Sequence, residues 1–243
     1  MVKIIFSPAK KQQYGTWKND LPMQLPIFQE EISALNSYLQ TKSISELAEM
    51  MDISRALAEL NYSRISNFKD QWSTDHTGPA ILSFKGDAYR SLDAESLNNK
   101  DLIWANDHIY IISGLYGLLR PMDQLQYYRL EMKTKLTGFS HKNLYEFWGN
   151  KLSNYIGTEQ VINLASSEYS KAINIPNITR IDFKDKYQSG YKTIGVKAKR
   201  ARGLMLRWII QNRVTKPEQL KAFDNGYYYN KNMSTSNNWV YTN

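Results

Sequence analysis

Val2-Lys3-Ile4-Ile5-Phe6 runs directly into Ser7-Pro8-Ala9-Lys10, and this change from an apolar run to small, polar and basic residues decides how the chain is read. Four of these five positions are branched or aromatic, and a run of this length closed by Ser-Pro fits a strand, not a helix. The same change recurs downstream. Ala80 to Phe84 ends in Ser83-Phe84-Lys85-Gly86-Asp87, Ile109 to Ile112 in Ser113-Gly114-Leu115-Tyr116-Gly117, and Val161 to Leu164 in Ala165-Ser166-Ser167-Glu168-Tyr169. Ile178 to Phe183 and Thr193 to Val196 also read as strands, with helical patterns between most of the six. Strands alternating with helices predict an α/β fold, a mixed sheet surrounded by helices. In open sheets ligands bind beyond the carboxyl ends of the strands, so parallel strands would bring the four polar ends to one cleft.

The 243 residues, 42% apolar and 22% charged, exclude a disordered or collagen-like chain. No low-complexity linker, repeat or composition break divides them, so one domain over residues 1–243 is expected. The absence of Cys removes disulfides, thiolate metal sites and a thiol nucleophile together, and fits a reducing compartment. The first apolar run is too short for a signal-peptide core, and no stretch of about 20 apolar residues occurs. A cytoplasmic protein with no membrane partner is expected.

The formal charge of +8 is concentrated. From Lys186 to Pro217 there are nine basic residues (Lys186, Lys192, Lys197, Lys199, Arg200, Arg202, Arg207, Arg213 and Lys216) and no acid, while the remaining residues carry 22 basic and 23 acidic side chains. Two readings stand: a solvated face that aids solubility, or a surface for polyanions. Leu204, Met205, Trp208 and Ile209 recur at helical spacing within the stretch, so the charges sit on an ordered element, which costs self-repulsion and argues for a use.

Ser43 with Glu46 forms a capping box before Ile44, Leu47, Ala48 and Met51, and Ser54 can cap a second helix bearing Leu57, Leu60, Ile65 and Phe68. This pair over residues 43–68 is either core or a hairpin whose backbone amides face phosphates. Thr215 with Glu218 and Pro217 predicts a further capped helix, and Tyr227 to Asn243 a terminal hairpin.

Ser113 to Gly117 lacks the Lys-Ser/Thr of a P-loop and the third Gly of a dinucleotide fingerprint. Gly114 and Gly117 either allow close approach of a ligand or make a tight turn. Arg120 and Arg129 are either structural ion pairs or phosphate clamps facing the same cleft as Lys10 and Lys85. His76, His108 and His141 are too scattered for a triad or a His-rich metal site. Acid–base chemistry, if present, falls to Asp87, Glu131 or Glu168 working with Lys10 or Lys85.

These motifs, in this order, resemble the YaaA family of bacterial peroxide-stress-resistance proteins. The matching stretches are Ser7 to Lys10, Phe84 to Asp87 with Tyr89, Ser113 to Pro121, Tyr128 to Met132, Leu144 to Gly149, Asn163 to Tyr169, and Lys199 to Arg207 followed by Ile209 and Ile210. The resemblance implies a positively charged cleft, DNA binding without strong sequence preference, a helix-hairpin-helix element at residues 43–68, and a role in limiting peroxide damage associated with free iron. Two places depart from the family pattern: Lys11-Gln12-Gln13, and the last residues Trp239 to Asn243. Direct iron binding is not favoured, since Cys is absent and no carboxylate–His cluster has ligand spacing, and no cofactor is expected.

Two functions therefore compete. In the first, Lys197, Lys199, Arg200, Arg202 and Arg207 contact phosphates of double-stranded or branched DNA, helped by Lys10, Lys85, Arg120 and Arg129. In the second, the strand-end cleft is an enzyme site for a nucleotide or nucleic acid, with Asp87, Glu131 or Glu168 as acid or base and Lys10 beside them.

Overall fold

The computed structural model describes residues 2–14 and 21–243. Its centre is a mixed sheet of β1 (Val2–Phe6), β2 (Ile109–Ser113), β3 (Gly117–Leu119), β4 (Gln160–Asn163), β5 (Ile178–Tyr187), β6 (Gly190–Lys192), β7 (Tyr228–Tyr229) and β8 (Asn238–Thr242). Their order is β7-β8-β5-β4-β1-β2-β3, with β6 paired to the far end of β5. The five strands β8, β5, β4, β1 and β2 are mutually parallel, and β3, β6 and β7 each run antiparallel to their neighbour. Ile4 lies opposite Ile109 on one side and Ile162 on the other, and all three are fully buried. Near-continuous apolar runs are what a parallel strand covered on both faces requires.

The longer helices are α1 (Gln29–Gln40), α2 (Ile44–Met51), α3 (Arg55–Ser66), α4 (Asp87–Leu92), α5 (Asn99–His108) and α6 (Gly195–Gln211). No helix among the described residues is long and apolar enough to cross a membrane. The Ser43–Glu46 capping box forms, with the Ser43 amide donating to Glu46 Oε2 at 2.8 Å. Ser54 Oγ accepts from the Leu57 amide at the start of α3. Between these helices Asp52, not Gly, takes the left-handed conformation (φ 51°), which a short polar side chain tolerates. Leu47, Met51, Ala58 and Ile65 turn the inner faces of the pair into the core.

Three local expectations fail for identifiable reasons. Ala80–Ser83 is one turn of helix, not a strand; a short, fully buried apolar run shows no period to separate the two, and Pro79 opens the turn. Only Phe84–Lys85 is extended, in a two-residue antiparallel pairing with Lys11–Gln12. Thr193 to Val196 is not a strand either: β6 ends at Lys192, Ile194 is the extended residue before α6, and Gly195 already belongs to the helix. After Thr215 the chain forms a 3₁₀ helix over Pro217–Ala222, and its cap comes from Gln219, not Glu218: Gln219 Oε1 accepts from the amides of Thr215 (2.8 Å) and Lys216 (2.9 Å). The terminal hairpin forms as β7 and β8.

Candidate functional site

Because β1 and β4 are adjacent and parallel, the segments that follow them leave the sheet side by side. Ser7 Oγ accepts from the Ser166 amide at 2.8 Å and stitches the two exits together. The third wall is the loop and helix over residues 85–89, held by Tyr89, whose buried hydroxyl donates to the Ser7 carbonyl at 2.9 Å. Helix α6 closes the fourth side with Lys199 and Arg202. Between these walls lies a cleft of about 350 Å3, into which Glu131, Glu168 and Tyr169 also face.

The position of α6 is set by one glycine. A Cβ on Gly203 would lie 2.0 Å from the Ala88 carbonyl oxygen, so α6 crosses α4 in near backbone contact, and only Gly fits. The contact is tied at both ends of α4. Arg200 Nε lies 3.5 Å from Asp87 Oδ1, and Arg207 Nη1 donates to the carbonyls of Leu92 (2.9 Å) and Asp93 (2.8 Å). A cation on the last carbonyls of a helix satisfies groups that have no partner within it.

The cations of the cleft divide into two kinds. Lys10 is paired with buried Glu131 at 2.9 Å, and Arg129 reaches the same carboxylate at 2.9 Å. Lys85 turns to Glu95 at 2.7 Å. Lys199 and Arg202, by contrast, meet no acid at ion-pair distance among the described residues. Arg202 Nε is buried with no hydrogen-bond partner, and burial lowers the guanidinium pKa, with Asp182 opposing. A buried guanidinium N–H left unpaired costs about 1–3 kcal/mol or more, and a planar fork of this kind is satisfied by a phosphate or carboxylate.

The acids divide similarly. Asp87 receives a hydrogen bond from Arg90 at 2.6 Å, and this bond, then the charges of Arg90 and Arg200, hold its carboxyl below the usual range. Glu131 is shared between Lys10 and Arg129, with Lys133 at 4.0 Å. Glu168 carries no ion pair among the described residues; its Oε1 accepts only from the Lys133 amide at 3.4 Å. Burial, then the neighbouring Tyr128, pushes the Tyr169 phenol well above its ordinary pKa, so it stays a neutral donor. Among the described residues no group of three or more His, Asp or Glu is placed to hold a metal ion.

A family model described as "Peroxide stress protein YaaA" matches residues 2–233. The chain belongs to the YaaA family. It is 41% identical over 249 residues to a UPF0246 protein of Bordetella avium, covering 98% of this chain and 97% of that one. A UPF0246 protein of Delftia acidovorans is 40% identical over 235 residues (91% and 90%), and one of Acaryochloris marina 38% over 248 residues (98% of each).

In this YaaA-family chain the structure brings Lys10, Lys85, Asp87, Glu131, Glu168, Lys199 and Arg202 to one cleft. It does not bring the rest. Arg120 is committed elsewhere: Nε donates to Asp123 Oδ1 at 2.8 Å and Nη2 to the Leu25 carbonyl at 2.8 Å, the structural ion pair of the two alternatives. Arg129 lies beside the cleft, in a small adjoining pocket with Lys10 and Tyr169. Lys197 pairs with buried Asp185 at 2.9 Å, and Arg200 and Arg207 hold α4, so three of the five α6 cations are engaged within the protein.

Ser113 to Gly117 does not reach the cleft, because β2 turns directly into β3. A Cβ on Gly114 would lie 2.2 Å from the Leu130 carbonyl oxygen, and one on Gly117 (φ 69°) 2.7 Å from the Trp148 ring; these glycines serve packing. The motif supports the site indirectly: Ser113 Oγ bonds the Tyr128 hydroxyl at 2.6 Å, and the Tyr128 amide donates to Gln12 Oε1 at 2.9 Å. Gln12, within a departure from the family pattern, thus anchors the segment that carries Arg129 and Glu131. At the other departure, Asn243 Nδ2 donates to buried Asp185 at 2.8 Å. Sequence reasoning missed Tyr89 and Tyr169 as walls of the cleft, although both stood in quoted motifs; only their placement shows that they face inward.

Proposed function

We propose that this peroxide stress protein binds DNA in the cytoplasm through phosphates, without base readout, and shields the bound backbone from iron-dependent radical damage. One observation supports the reading: Lys199 and Arg202 line a concave site with no acid at ion-pair distance among the described residues, while Lys197, Arg200 and Arg207 on α6 are paired. Cations left free on a rigid helix supply the sequence-independent part of nucleic-acid affinity. Lys10 and Lys85 can add to it by exchanging their carboxylate partners, Glu131 and Glu95, for phosphate. The helical pair over residues 43–68 joins this reading through the backbone amides at the start of α3, since Asp52 in its turn adds no attraction for phosphate. Replacing Lys199 and Arg202 together by Glu should lower duplex affinity by at least about tenfold at 50 mM salt while far-UV circular dichroism stays unchanged. Unchanged affinity in a folded variant would remove the assignment.

A second reading rests on Glu168, which faces the same cleft free of any ion pair among the described residues. In it, Glu168 is the acid or base of a reaction on a nucleotide held by Lys199 and Arg202. Glu168→Gln should then abolish turnover and leave duplex affinity within about twofold.

A further inference from the structure

The cleft holds more than a phosphate site uses. Lys199 and Arg202 supply cations from α6, but Glu168 and Tyr169, on the single helical turn Ser167–Ser170 that follows β4, face into the same space. Glu168 Oε1 accepts only from the Lys133 amide at 3.4 Å, and its Oε2 has no partner among the described residues. The half-buried Tyr169 makes no hydrogen bond through its hydroxyl among the described residues. Burial does most to raise its phenol pKa, and the charges that add to it are Tyr128, Glu168, Glu131 and Tyr145, none of them from α6. A free carboxylate and a neutral hydroxyl donor thus stand side by side, apart from the two cations. A carboxylate repels phosphate, so a site for an anion alone would gain nothing from this corner.

The rest of the lining is apolar where the strands end. Phe6 closes β1 and Leu164 directly follows β4; both are buried and both border the cleft, with Ala9 and the Tyr89 ring beside them. An apolar surface with a few placed polar groups is the usual make-up of a small-molecule site, and such sites enclose about 300–1,000 Å3. The 350 Å3 here lies near the lower bound. It admits one small ligand and excludes a paired duplex, which stays on the outer surface.

We propose that the cleft receives a single nucleoside 5′-phosphate unit, its phosphate on Lys199 and Arg202, its base against the apolar lining and the base edge on Glu168 and Tyr169. The inference rests on the phosphate reading for its cationic end and adds a seat for the base. Glu168 accepts an N–H of the base edge, and Tyr169 donates to the ring nitrogen or carbonyl next to it. All four bases carry a donor beside an acceptor on that edge, so the corner seats a base without choosing a sequence. A sugar phosphate would satisfy the cations and leave the corner unpaired. Two sources supply such a unit: a free mononucleotide, or a nucleotide swung out of a strand held on the surface, as enzymes that act on bases extrude theirs.

The test titrates the full chain, in low-salt buffer, with the four deoxynucleoside 5′-monophosphates and with deoxyribose 5-phosphate by calorimetry. A second arm adds a duplex carrying one 2-aminopurine, whose fluorescence rises when that base leaves the stack. A site for the free unit should bind at least one monophosphate about tenfold or more tighter than the sugar phosphate. A site for an extruded unit should instead raise the 2-aminopurine signal about twofold or more at saturation. Glu168→Gln with Tyr169→Phe keeps both side-chain shapes, and should reduce the preference or the rise to less than about a third. Neither a preference nor a rise, or either one surviving the double replacement, overturns the base seat. Duplex affinity tests the phosphate reading separately, since Lys199→Glu with Arg202→Glu should lower it whatever the base arms show.

Discussion

Arg202 and Arg120 show how the same side chain serves two ends at the residue scale. Arg120 neutralises Asp123, which has no exposed surface, and burial still pushes that carboxyl up to about 6 against the pull of Arg120. A carboxyl whose folded pKa exceeds its ordinary 3.8 binds its proton more tightly in the native state. Its contribution therefore favours folding below 3.8 and is lost as pH rises through about 6. Removing the counter-charge widens that gap. Arg120→Ala is expected to cost about 3–5 kcal/mol at pH 8, and measurably less at pH 5, where Asp123 can take up a proton; urea unfolding at the two pH values reads the difference. Arg202 meets no acid at ion-pair distance among the described residues, with Asp182 acting on it only as a neighbouring charge, and its orphaned Nε is a cost within the free protein. Arg202→Met keeps the stem and removes the charge, so it should leave stability within about 1 kcal/mol or raise it, while weakening DNA binding several-fold. A variant both destabilised and unimpaired in binding would make Arg202 a structural residue.

At the scale of elements, the site depends on how closely two helices approach. Gly203→Ala places a methyl on the Ala88 carbonyl oxygen, so α6 must move off α4, with a cost of about 1–3 kcal/mol. The same shift carries Lys199 and Arg202 away from the cleft, so affinity should fall with stability. Gly195→Ala is the control: nothing lies within 4 Å of its added Cβ, and thermal melting and binding should stay near the parent values. Gly203 stood in plain view between Arg202 and Leu204, but spacing says nothing of what a residue will touch. The strand ends after β1 and β4 were legible because an apolar run closed by Ser marks both the strand and its exit. The run Ala80 to Phe84 was not, because burial on all sides erases the period that separates helix from strand. Nor could sequence distinguish Lys197, Arg200 and Arg207, which pair with acids of other elements, from Lys199 and Arg202, which meet no acid at ion-pair distance among the described residues.

Over the whole molecule, the parallel core gathers its polar strand exits at one end, and the basic stretch passes across that end as α6. Four of its nine cations, Lys197, Arg200, Arg207 and Arg213, pair with acids of the fold, and of those on α6 Lys199 and Arg202 are left to face the cleft. That division limits how many phosphates the protein can neutralise: about two through Lys199 and Arg202, and about four if Lys10 and Lys85 exchange partners. Each phosphate contributes a slope of about −0.9 in log affinity against log salt, so the slope should lie between about −2 and −4. The measurement that decides this is anisotropy of a labelled random-sequence duplex titrated with the purified chain at 50 and 200 mM salt. The account predicts saturable binding whose affinity falls by roughly 10- to 150-fold between the two. Absence of binding at 50 mM salt, or an affinity indifferent to salt, would contradict it.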